Sequence, residues 1–163
     1  MIKYWGLILI TFFSINTRGD VISTSISEIS KQNCHAKKNY QFISKKKKNE
    51  IEKQFNFSGV SQTVRRFSVK CGDDKTMAFV FNDKIRTHYQ SLLVWIAQGT
   101  VKGIKTLEFN EPVQYEAPKS WLKNIVNKNK TQLYKVDALS GATLTRQSTL
   151  KIVKQALYFS SNE

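Results

Sequence analysis

Histidine, cysteine, proline and acidic side chains are all scarce in this chain, and each scarcity closes off a class of function. His35 and His88 are the only histidines, too few for a zinc centre or a proton-shuttling cluster. Cys34 and Cys71 are the only cysteines. Without a Cys-x-x-Cys-His run there is no covalent haem, and Cys34-His35 has no second ligand pair to complete a metal set. Two prolines and seven glycines supply no low-complexity linker, and no internal repeat is present. A Gly-x-Gly-x-x-Gly turn is missing, as is a Ser-His-Asp set, which argues against a reductase with its own nicotinamide site. Acidic residues number 12 against 26 basic ones, a net charge of +14 with a pI near 9.9. That balance bears on partners and not on fold. Nucleic acid, an anionic membrane surface and an acidic protein would all be attracted. Nucleic-acid binding also needs a recognised module, or aromatics interleaved with basic residues on one face, and neither is visible.

What is present describes one folded domain. The chain has 163 residues, 40% hydrophobic and 12% aromatic, enough for a real core but not for two full domains. Met1–Gly19 opens with one cation, Lys3, runs apolar from Tyr4 to Ile15 and holds no acidic residue. This is the pattern of a secretory signal peptide, shorter than the ~20 apolar residues of a membrane span. The expectation is therefore an extracytoplasmic protein, periplasmic or membrane-associated. Glu28–Phe57 is rich in Lys, Asn and Glu with spaced apolar points, which predicts one or two helices. Within it Lys45-Lys46-Lys47-Lys48 reads as a solvated face. In an exported chain the even cysteine count permits a Cys34–Cys71 disulfide, tying the N-terminal helix to the first strand region.

After the turn Cys71–Asp74 the signals become β. Thr76–Phe81, Tyr89–Ala97 and Thr100–Phe109 are short runs of β-branched and aromatic residues. Pro112 and Pro118 hold an extended passage before a short helix, Trp121–Val126, for which Ser120 is the expected N-cap. The fold class is α+β: an antiparallel sheet flanked by helices. The chain divides into residues 1–19 as signal peptide, 20–70 as an N-terminal helical segment and 71–163 as the main domain.

One stretch carries chemistry: Asp137-Ala138-Leu139-Ser140-Gly141-Ala142-Thr143-Leu144-Thr145. It leads into Arg146–Phe159, where Leu150, Val153 and Leu157, with Ile152 and Ala156, form one helical face. Small residues at Ser140, Gly141 and Ala142 let a bulky group approach the backbone, and the amides of a first helical turn suit an anion such as phosphate. The same residues also suit an ordinary helix start, capped by Ser140 or Thr143. Local chemistry leaves both readings open.

Asp-x-x-Ser-Gly-Ala-Thr resembles the flavinylation signature of the FMN-binding domain family. This domain occurs in the FMN-carrying subunits of sodium-translocating NADH:quinone reductases and Rnf-type complexes, and in small exported proteins. The middle of the chain is similar to small exported members: Val101-Lys102-Gly103-Ile104, then Leu107-Glu108-x-x-Glu111-Pro112-x-x-Tyr115, then Trp121-Leu122. Ala138 stands where the family more often has glycine. The resemblance implies that a flavin transferase moves FMN from FAD onto Thr143 through a phosphodiester, with Asp137 recognised by the transferase. It further implies that Ser140, Gly141, Ala142 and Thr145 surround the phosphate, with Arg146 and Lys151 offsetting its charge. Leu139, Leu144, Tyr115 and Trp121 become candidates to pack the flavin ring, and Glu111 to orient it. The expected function is an exported electron carrier with covalent FMN, working with redox partners that are acidic or membrane-bound. A noncovalent FMN oxidoreductase and a secreted basic binding module without flavin, for an acidic protein, polysaccharide or lipid surface, are the alternatives.

Overall fold

The computed structural model describes residues 18–136 and 141–161. Five strands run in chain order as one antiparallel meander: β1 (Cys34–Phe42), β2 (Thr63–Cys71), β3 (Asp74–Lys84), β4 (Tyr89–Ala97) and β5 (Thr100–Phe109). Helices α1 (Arg18–Ser30), α2 (Lys45–Phe55), α3 (Lys119–Lys123) and α4 (Thr143–Ser160) complete the α+β architecture. The three mid-chain strands and α4 fall where the sequence predicts them. Most of the signal-peptide expectation, residues 1–17, lies outside the described residues, as do Asp137, Ala138, Leu139 and Ser140. Among the described residues no helix is long and apolar enough to cross a membrane, and no group of side chains could hold a metal ion.

Alternation along the strands sorts the core onto two faces. Phe79 and Phe81 of β3, with Leu92 and Val94 of β4, pack beneath α4. Ala78, Val80 and Leu93 point the other way, toward Ile22 and Ile26 of α1 with Phe67 and Val69 of β2. On α4 the predicted stripe is buried throughout: Ile152, Val153 and Ala156 are sealed, and Leu150 and Leu157 nearly so. Each large aliphatic side chain so buried contributes roughly 1.5–3 kcal/mol. Gln90 of β4 locks the helix to the sheet from within, donating to Ser148 Oγ at 2.6 Å.

The N-terminal third departs from expectation. Residues 20–70 are not a helical segment: α1 and α2 alternate with β1 and β2, and both strands belong to the sheet. Cys34 and Cys71 are bonded, and the bond joins register partners on neighbouring strands rather than a helix to a strand. The lysine run does lie in a helix, α2, with Lys45 and Lys46 exposed and Lys47 and Lys48 half-buried; Ser44 caps it, its hydroxyl accepting from the Lys47 amide. Lys47 and Lys48 pair with Glu50 and Glu52 one turn on. Ser120 does not cap α3: Pro118 holds that position and Ser120 lies inside the helix.

Candidate functional site

Three segments meet at one end of the sheet. They are the β3–β4 turn Ile85–His88, the passage Asn110–Tyr115 after β5, and the start of α4. Together they enclose a cavity of about 180 Å³ lined by Ile85, Arg86, Glu111, Tyr115 and Gly141–Thr145. Of the predicted site residues, Glu111, Tyr115, Gly141, Ala142, Thr143 and Thr145 come together here, with Leu144 beside them. Asp137 and Ser140 lie outside the described residues. Trp121 does not line the cavity; it is 6% exposed and packs in the core beneath α4.

The start of α4 is set by small residues. Gly141 has φ +74°, the left-handed region that a side chain would strain. A Cβ there would meet nothing within 4 Å, so conformation, not crowding, calls for glycine. Ala142 occupies the N-cap and has no side-chain oxygen to cap with; its carbonyl accepts the first helical bond from Arg146 at 3.0 Å. Thr143 follows, its side chain exposed, and Leu144 is 41% exposed beside it. Thr145 differs in kind. It is 1% exposed, and its hydroxyl donates to the Tyr115 carbonyl at 2.7 Å, tying the helix to the loop. The two hydroxyls are therefore not equivalent: one is presented to solvent, the other is part of the frame.

Glu111 fixes the third wall. Its Oε1 accepts the amides of Arg86, Thr87 and His88 at 3.3, 3.1 and 3.1 Å. Its side chain is 7% exposed. The amide of His88, then those of Thr87 and Arg86, hold its carboxyl below the usual carboxylate range against the opposing effect of burial. The Arg86 guanidinium lies over the Tyr115 ring, 4.8 Å from its centroid. The cations expected from sequence are elsewhere. Lys151 pairs with Asp83 at 2.6 Å, and Arg146 donates to the Val136 carbonyl at 3.0 Å. Arg86 is the cation that sequence reasoning passes over. A lone arginine in a hairpin turn carries no motif, and only the Glu111 bonds bring it to the helix.

A cavity this small does not enclose a whole cofactor, since sites that do so are of about 300–1,000 Å³. Its size would suit a phosphate and the chain next to it, with Leu144 and Tyr115 as the apolar residues beside them. The exposed hydroxyl, the first turn of a long helix and a nearby guanidinium suit such a group. Residues 90–158 match the family model of the FMN-binding domain, the family that the Asp137–Thr145 motif resembles. The match supports a flavin-binding protein with FMN as its cofactor and does not favour the reading without flavin. No curated protein and no solved structure matches the chain.

Proposed function

We propose that this chain, with an FMN-binding domain over residues 90–158, is an exported electron carrier bearing FMN on Thr143. The observation that carries the reading is the contrast between the two threonines: Thr143 is exposed at the cavity mouth, and Thr145 is buried with its hydroxyl engaged. In the attachment, Thr143 Oγ forms a bond to the flavin-side phosphorus of FAD. The pyrophosphate bond breaks, AMP leaves, and the hydroxyl proton goes to a base supplied by the transferase. Asp137 and Ser140 belong to the recognised motif. Bound flavin supplies reversible one- and two-electron chemistry. The chain's own part is to hold the phosphate at the helix start and to offer Leu144 and Tyr115 as an apolar seat. Glu111 keeps the facing turn in place.

Location and redox partner follow from the same chemistry. An N-terminal signal and a protein tethering its own cofactor both suit an extracytoplasmic setting, where free FMN is scarce. With a charge of +14, or +12 once Met1–Gly19 is removed with Lys3 and Arg18, the natural redox partner is acidic or sits at an anionic membrane. Association with it slows as salt rises.

Intact mass of the protein co-expressed with a flavin transferase tests the attachment. The wild type gains one FMN less a water, Thr143→Ala gains nothing, and Thr145→Val still gains it. Thr145→Val also loses about 1–2 kcal/mol of stability in a denaturant titration, because the Tyr115 carbonyl loses its donor. Persistence of the added mass in Thr143→Ala defeats the assignment of the acceptor. Flavin released by acid from the wild type returns the noncovalent alternative.

A further inference from the structure

We infer that Arg86, outside the stretch that matches the family, is a positioning residue that holds the flavin's phosphodiester against the start of α4; the inference rests on attachment at Thr143. Arg86 lines the same small cavity as Thr143. Its guanidinium carbon lies over the Tyr115 ring, 4.8 Å from the centroid. An aromatic ring beside a guanidinium does not neutralise its charge, and the N–H donors turned away from the ring stay available. Two such donors match two phosphate oxygens, a geometry that a lysine ammonium lacks.

The backbone beneath Arg86 is as well defined as its side chain. Three consecutive amides of the turn, its own included, converge on one oxygen of the nearly buried Glu111. Thr145 anchors the Tyr115 carbonyl, so the backbone that carries the ring beside Arg86 is tied to the same helix that bears Thr143. Glu111 and Tyr115 thus act through Arg86. The carboxylate oxygen that takes the three amides is turned to the backbone, and its part is to hold the turn that delivers the cation. The two cations expected here from the sequence are engaged elsewhere, Lys151 with Asp83 and Arg146 with the Val136 carbonyl.

The test uses full-length protein produced with and without a flavin transferase, the loaded fraction being verified by mass. Both samples are treated with phenylglyoxal, and arginine modification is followed by peptide mapping. Arg86 is expected to react about tenfold more slowly in the loaded protein, as befits a charge-assisted pair. Arg66, on β2, should react equally in both. Phosphorus NMR of loaded wild type and Arg86→Gln supplies the second reading, with the phosphodiester resonance displaced by the substitution and partly restored in Arg86→Lys. Equal reaction of Arg86 in the two samples overturns the inference. Protection with an unmoved phosphorus resonance also overturns it, since the flavin would then merely cover Arg86. If Arg86→Gln takes no flavin, protection in the wild type and the phosphorus shift in Arg86→Lys decide. Wild-type protein that gains no flavin mass refutes the attachment itself, an outcome visible before any arginine is examined.

Discussion

Glu111 shows how one carboxylate can matter to a site without meeting its ligand. Its oxygen gathers the amides of Arg86, Thr87 and His88, and these bonds keep its folded-state pKa below the unfolded value. The stability it contributes is therefore complete above the unfolded carboxylate pKa and disappears as pH falls through the lower folded value. Hydrogen-exchange protection of those three amides should drop over that acidic range, while amides of the β3–β4 pairing keep theirs. Protection that stays flat to the acid limit of the fold removes Glu111 from this role. Sequence reasoning singled out Glu111, Tyr115 and the Gly141–Thr145 turn because the residue types and order resemble a family pattern. It gave Glu111 the flavin's edge, whereas the structure gives it three main-chain donors, a bond that no spacing could announce. Trp121 was drawn toward the flavin by the same resemblance, yet its burial follows from α3 needing an apolar face. Thr145 was grouped with the phosphate because its hydroxyl lies two residues from Thr143; its direction into the fold is a consequence of helical geometry.

At the scale of elements, α1 and the sheet edge explain one another. β1 pairs with β2 alone, and an edge strand exposes amides that invite another chain. Ser27 and Ser23 of α1 answer two of them, accepting from the Cys34 and Ala36 amides at 3.0 and 2.9 Å. The helix also reaches β5. A Cβ on Gly103 would come within 2.6 Å of Ile29 Cγ2, so this glycine is a matter of space. Gly103→Ala should cost about 1–3 kcal/mol by overpacking, and Ile29→Ala should relieve most of that cost in the double variant. Urea titrations of the four proteins check the cycle, and additive costs would rule out direct contact. β3, β4 and β5 were legible because β-branched and aromatic residues alternate or cluster in them. β1 was not. Cys34-His35-Ala36-Lys37-Lys38-Asn39-Tyr40-Gln41-Phe42 carries lysine and asparagine on a half-exposed edge, where propensity says little and pairing with β2 decides. Its partner β2 divides its apolar residues between two faces, with Val64 on one and Phe67, Val69 and Cys71 on the other, which blurs the alternation expected of a single buried face.

For the molecule as a whole, the disulfide closes a loop of 37 residues between the edge strand β1 and its neighbour β2. In the chain-entropy account such a closure contributes about 3–4 kcal/mol, so reduction should lower the denaturant midpoint correspondingly. Reduction should leave intact the Thr143 environment, read from the flavin spectrum of loaded protein. A spectrum that changes on reduction, before unfolding begins, would contradict that separation. The separation follows from the meander. Cys34, Cys71 and the turn before Asp74 mark one end of the sheet, and Lys84, Tyr89 and Phe109 mark the other, beside the cavity. Eleven residues of β3 run between the two ends, about 35 Å at the rise of an extended strand. In electrical terms, a flavin carried on Thr143 as proposed would be the wire at one pole, with the rivet at the other. On that reading an electron resting at the Thr143 end would have no short circuit into the sulfur bond, and the protein could cycle its charge without loosening the fastening that holds it together.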